Sequence, residues 1–128
     1  MKREVVATPN APGAIGPYSQ AIKANGLVFV SGQTGIVPQT KEFAGQTVAE
    51  QTAQALKNLQ AILEAAGTDL AHVIKTSVFL ADMATFAEMN AVYATFFPGD
   101  PPARSTIAVR SLPLNALVEI DLIAALPD

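Results

Sequence analysis

Apolar residues come in short runs separated by Pro- and Gly-rich breaks, and the runs follow two periods. Six read as strands. The first is "REVVAT", Arg3 to Thr8. Ala21 to Ala24 and Leu27 to Ser31 follow, joined by Asn25-Gly26. Both central residues of a type I′ turn need positive φ, so Asn-Gly predicts that these two runs pair as a hairpin. "HVIKTSVFL" (His72 to Leu80), "ARSTIAV" and "LVEIDLIAA" complete the set. In the last, Val118, Ile120, Leu122 and Ala124 fall on one side. Leu117, Glu119, Asp121 and Ile123 fall on the other.

Two segments repeat at helical spacing. "TVAEQTAQALKNLQAILEAAG" opens with a T-x-x-E capping box, Thr47 and Glu50. Thr52, Ala55, Leu56, Leu59, Leu63 and Ala66 make its apolar stripe, and Gly67 suits the left-handed position just past its end. "TFAEMNAVYATFF" predicts a second helix with its own box, Thr85 and Glu88. Its buried side is Phe86, Met89, Tyr93, Phe96 and Phe97, and Pro98 is its stop. The order is β-β-β-α-β-α-β-β, without internal repeat, low-complexity tract or linker, so residues 1–128 are expected to form one domain.

Two helices cannot cover both faces of such a sheet. The Glu119 side of the last strand is too mixed for a monomer core and too apolar for plain solvent. A wet, enclosed subunit interface fits it, with Glu119 in a semi-buried cleft. The composition agrees: half the residues are hydrophobic and only 15% are charged. The net charge of −3 provides no electrostatic drive toward nucleic acid or acidic membranes. The absence of cysteine excludes disulfides and thiolate metal sites. The single His would need a carboxylate cluster to hold zinc, and the sequence shows none. "MKREVVATPN" has no apolar core of a secretory signal, and no run approaches the roughly 20 apolar residues of a membrane span. A soluble, cytoplasmic protein is expected.

Four segments could carry chemistry. Arg104 opens a strand after "PGDPPA"; its guanidinium is suited to bidentate contact with a carboxylate, either a ligand's or that of Glu119 or Asp121 in a structural ion pair. "SGQTG", Ser31 to Gly35, could offer backbone N–H groups to an anion or could be a plain tight turn. Tyr18 sits on the irregular loop "IGPYSQ". Asn90 lies off the centre of the second helix's stripe, where a solvated amide is the plain reading. A catalytic His would need an orienting acid and a nucleophile; with no Cys and no nucleophile-elbow motif, His72 reads as surface.

Together "IGPYSQAI", "LVFVSGQTG", "VIKTSVFLADMATFAEMNAVYATFF", "PPARSTIAV" and "LVEIDLIAA" resemble the Rid family, the YjgF-like enamine/imine deaminases, from about Pro9 to Ala125. The resemblance implies an α+β, chorismate-mutase-like fold: a single mixed sheet of about six strands with two helices on one face. It implies a homotrimer with clefts between subunits. It also implies that another strand lies between the last two, which would otherwise be paired as a hairpin. By resemblance, Arg104 grips the substrate carboxylate and Glu119 orients the hydrolytic water. Tyr18, Ser31 and Gly32 match cleft positions, Asn90 a residue near the pocket, and Thr106 a position where many active members carry Cys.

The activity implied is cofactor-independent hydrolysis of small 2-imino acids and their 2-enamine tautomers, released by Ser and Thr dehydratases, to 2-keto acids and ammonia. Water attack needs no covalent thiol, so Thr106 leaves this expectation standing. Asp121 is assigned to structure. Two other readings stand beside it: a ligand-binding or chaperone-like trimer without turnover, and a ribonuclease or translation inhibitor, as described for some relatives. The acidic balance argues against the last. No nucleic-acid partner, membrane or metal is expected.

Overall fold

The structure, a computed structural model, describes all of residues 1–128. The elements are β1 (Arg3–Val6), β2 (Ala21–Ala24), β3 (Leu27–Thr34), α1 (Val48–Ala66), β4 (Val73–Leu80), α2 (Phe86–Phe96), β5 (Ala103–Ala108) and β6 (Val118–Ala125). They follow the order that the periodicities predict. Asn25 (φ 53°) and Gly26 (φ 75°) make the β2–β3 hairpin turn. In the first helix, Thr47 accepts from the Glu50 N–H at 3.1 Å, and the Glu50 carboxylate accepts from the Thr47 N–H at 3.3 Å. Gly67 ends that helix at φ 95°.

All six strands form one sheet in the order β1-β2-β3-β6-β4-β5. Every pair is antiparallel except β4–β5, which α2 connects as a parallel crossover. β4 thus lies between β5 and β6, so the last two strands are not a hairpin, as the resemblance implies. Both helices cover one face. Leu56, Leu59, Ile62 and Leu63 of α1 and Met89 and Tyr93 of α2 join Val28, Val30, Val78, Leu80, Val118, Ile120 and Leu122 in a single core cluster.

The second T-x-x-E is not a capping box. Thr85 makes no cap hydrogen bond; it ends a short 3-10 turn (Met83–Thr85) at φ −89°, ψ 5°, outside the extended region that a capping residue occupies. Its hydroxyl donates to the Asp82 carbonyl, and Asp82 caps the turn instead. Glu88 is drawn to the start of α1, where it accepts from the Ala49 N–H at 3.1 Å. There it meets the positive end of that helix, a favourable place for a carboxylate. Phe86 also departs from the predicted buried side: it is exposed at the surface end of α2.

The far face of the sheet has no helix. Register places Val5, Ile22, Phe29 and Ile123 in one row across it, and Ile107, Phe79, Glu119 and Thr34 in another. Val5, Phe29 and Ile107 are between 41% and 66% exposed. This is the mixed surface that the last strand's pattern predicts.

Candidate active site

The predicted site residues fall into two clusters, one on each face of the sheet. The first is built on β5. Arg104 pairs with Thr76 and Thr106 with Val78. Thr76 and Val78 point into the core, so Arg104 and Thr106 lie on the helix face at the sheet's edge. The Arg104 guanidinium carbon is 4.7 Å from the centroid of the Tyr93 ring and 5.6 Å from that of Phe86. Such rings attract a cation through their quadrupole. The platform is itself anchored, because the Tyr93 and Thr76 hydroxyls share a 2.8 Å hydrogen bond. Burial pushes the Tyr93 hydroxyl's pKa up, against the opposing influence of the Thr76 bond and the Arg104 charge. Tyr93 therefore stays a neutral phenol.

No carboxylate lies at salt-bridge distance from Arg104; the chain's ion pairs are Lys2–Glu4, Lys23–Glu4 and His72–Asp69. The structural pair with Glu119 or Asp121 does not form within the chain, since those groups sit on the other face. Asn90 lines the cavity of about 420 Å³ at Arg104. Its Oδ1 and the Thr106 Oγ1 are buried without a hydrogen-bond partner. Buried polar atoms are nearly always paired. Thr52 Oγ1 in α1 is the third unpaired one; of the three residues, only Asn90 lines the cavity that Arg104 also lines.

The second cluster surrounds Glu119 on the open face. The β3–β6 register shifts between Val30 and Gln33, a bulge that brings Gly32 against the carboxylate. A Cβ at Gly32 would stand 2.5 Å from Glu119 Oε2 and 2.8 Å from its Cδ, so any larger residue there would displace the carboxylate. Tyr18, Gly32 and Glu119 line one small cavity of about 80 Å³. The Tyr18 hydroxyl accepts from the Ile15 N–H at 3.3 Å, folding the loop over it. Ser31 donates its hydroxyl to the Ser19 carbonyl at 2.6 Å, which ties the Tyr18 loop to β3.

Burial pushes the Glu119 carboxyl pKa up, and the neighbouring Asp121 charge adds to the rise. Asp121 is raised too, chiefly by burial, with its register partner Ser77 and then Lys75 opposing. Ionising either carboxylate opposes folding at neutral pH, and that opposition disappears as pH falls through the raised pKa values. For a base that must be ionised, the sign is opposite: activity is lost as pH falls through the raised Glu119 value. Within the chain, burial and the Asp121 charge both push the acid limb of a Glu119-dependent kcat/KM upward. Asp121→Asn should move that limb to lower pH, because it removes the like charge. A pH–rate profile unchanged by the substitution would refute the coupling.

Sequence reasoning missed three supports. The Gln20 side chain accepts from the Thr8 N–H at 2.7 Å and donates to the Pro12 carbonyl at 2.8 Å, stapling the Pro-rich loop beside Tyr18. Gln51 of α1 donates to the Gly45 carbonyl and accepts from the Leu117 N–H at 2.8 Å, fixing the approach to β6. Leu114 lines the Glu119 cavity. The two glutamines act through long-range hydrogen bonds, which leave no periodic trace. His72 is half-exposed and bonded to Asp69 at 2.7 Å; that bond holds the Asp69 carboxyl below its usual pKa. No group of three or more His, Cys, Asp or Glu side chains could hold a metal ion. No helix is long and apolar enough to cross a membrane.

One mixed six-stranded sheet backed by two helices, with candidate polar side chains on both faces, defines a small α+β protein. The chain belongs to the family described as Endoribonuclease L-PSP, whose members include the Rid proteins; the family model matches residues 8–126. It is 54% identical over 126 residues to Reactive Intermediate Deaminase A, chloroplastic, of Arabidopsis thaliana, covering 98% of this chain and 67% of that protein. It is 47% identical over 122 residues to the 2-iminobutanoate/2-iminopropanoate deaminase of Mus musculus, covering 95% and 90%. The solved structure of the Rid-family protein YyfA of Yersinia pestis superposes with a TM-score of 0.95 at 44% identity, covering 98% and 100%.

Proposed function

We propose that this protein is a cofactor-independent enamine/imine deaminase of the cytoplasm. It hydrolyses small 2-imino acids and their 2-enamine tautomers to 2-keto acids and ammonia, in a homotrimer whose active sites form between subunits. The observation that carries this reading is the arrangement of Arg104. It has an aromatic platform, no carboxylate partner in its own chain, and a position on the opposite face from Glu119. A site using both groups then takes Arg104, Thr106 and Asn90 from one protomer and Glu119, Gly32 and Tyr18 from the next. The apolar rows on the open face would be covered in the same contact. The names of the relatives support the chemistry.

Arg104 holds the substrate carboxylate through its fork of donors. C2 of the imine then faces the Glu119 cavity. Glu119, ionised, accepts a proton from water as the oxygen adds to C2. That proton passes to the imine nitrogen to give the neutral carbinolamine; Glu119 then carries the carbinolamine hydroxyl proton to the same nitrogen as the C–N bond breaks, leaving the 2-keto acid and ammonia. Imines of this type already hydrolyse in water, so positioning plus one general base, worth about 10²–10⁴-fold, is sufficient.

The test is keto acid release from an imine generated in place by a Ser or Thr dehydratase, with and without the purified protein. No acceleration would overturn the reading and favour a binding protein without turnover. The ribonuclease reading, present in the family's description, meets a chain of net charge −3. Cleavage of RNA by the same preparation, with no effect on the imine, would establish it instead.

Thr106→Val and Thr106→Cys should each change the rate less than tenfold, because no covalent intermediate is required. A loss beyond about 10²-fold in Thr106→Val, the scale of a catalytic proton-transfer group, would place the hydroxyl in the chemistry.

A further inference from the structure

The Glu119 cavity opens into a larger one. Pro12, Ile15, Ile36 and Leu114 are walls of both, and the second, of about 570 Å³, runs outward to Pro38 and Lys41. Leu114 stands at the junction with φ 56° and ψ 26°, followed by Asn115 at φ 60°. Asn adopts the left-handed conformation readily, whereas a leucine Cβ crowds the next carbonyl. Core packing does not account for Leu114, because it is 67% exposed. A strained, exposed apolar residue at the mouth of the cavity that holds Glu119 points to function.

Size gives that function a direction. The cavity beside Glu119, about 80 Å³, holds a water and the reacting carbon but little more. On this protomer's half of the site, the space open to a substrate side chain runs through the junction, over Leu114. The groove beyond is lined by Ile, Pro and Ala side chains, and Lys41 is the one charged residue in it.

We propose that Leu114 sets the side-chain selectivity of this site, favouring 2-imino acids with aliphatic side chains longer than methyl. The inference rests on the deaminase reading and deepens it by naming the substrate class. Because the backbone there already has positive φ, Leu114→Gly removes the side chain without imposing strain. Leu114→Asn keeps some bulk, tolerates the same backbone and removes the apolar character.

The experiment compares kcat/KM for the isobutyl imine, formed in place from leucine by an L-amino-acid oxidase, with that for the methyl imine formed from alanine. A carboxyethyl imine from glutamate is the third arm. In the wild-type protein the isobutyl substrate should be preferred. In both variants the isobutyl-to-methyl ratio should fall about tenfold, the discrimination an apolar pocket gives for a methylene or two. The thermal midpoint should hold or rise in Leu114→Gly. A ratio unchanged in both variants would overturn the proposal. So would a wild-type preference for the carboxyethyl imine, which would assign selectivity to Lys41. Calorimetric binding of the corresponding keto acids separates this inference from the one beneath it. Selective binding lost in Leu114→Gly, in a protein without turnover, would sink the deaminase reading and uphold the role of Leu114. Equal binding of the keto acids by wild type and variant would sink that role.

Discussion

Arg104→Ala should lower imine hydrolysis to the uncatalysed background while leaving the fold and the subunit assembly intact. Two charge-assisted hydrogen bonds to a substrate carboxylate would be lost together, each worth about 1.5–3 kcal/mol. That corresponds to roughly 10²–10⁴-fold in kcat/KM, which is all the acceleration the proposed mechanism requires. The fold should survive because no partner within the chain depends on this guanidinium; it rests on Tyr93 and Phe86 at the sheet's edge. Arg104→Lys should also be poor, since a point charge does not reproduce the planar fork. Assay of keto acid release beside a thermal-unfolding curve checks both points. Wild-type activity of Arg104→Ala on a carboxylate-bearing imine would remove Arg104 from the site.

Glu119→Gln should lose turnover by about 10²–10⁴-fold, the usual worth of a positioned general base, and should keep its affinity for a 2-keto acid product. The amide preserves the shape of the carboxyl beside Gly32, where the space is too tight for a larger change. It also removes the half-buried charge whose pKa burial raises, so stability at neutral pH should hold or rise. If Glu119 served only the interface, turnover would stay level. The two variants also test the shared site. Each retains the half that the other lacks. In randomly mixed trimers, roughly a quarter of inter-subunit sites would combine an intact Arg104 with an intact Glu119, because each neighbour relation is drawn independently. Recovery of activity on mixing supports a site between protomers, and its absence, with exchange of subunits demonstrated, refutes it.

The periodic part of the sequence determined the elements. Alternation in β6 and the stripe of α1 state which side chains are buried, because strand and helix geometry convert spacing into faces directly. Asn25-Gly26, the Thr47–Glu50 box and Gly67 act through neighbouring atoms only, so they were legible without any tertiary context. Glu119 was legible for the same reason: a carboxylate inside an apolar alternation violates its own surroundings. The site residues were found one by one through the resemblance, as members of motifs.

What each of them touches was decided by the tertiary structure alone. Thr85 and Glu88 have the spacing of a capping box, yet Glu88 is taken by the start of α1, 39 residues away. Nothing local to α2 records that competing donor. Arg104 and Glu119 read as potential ion-pair partners along the chain. The parallel pairing of β5 with β4 and the antiparallel insertion of β6 put them on opposite faces. The face of a strand residue is set by register, and register between strands distant in sequence is a property of the assembled sheet. Leu114 belongs to the same category. Its left-handed backbone lies in the loop that delivers the chain into β6, and its place at the mouth of the Glu119 cavity depends on a second loop, around Ile15, which is distant in sequence and is held by the Gln20 side chain.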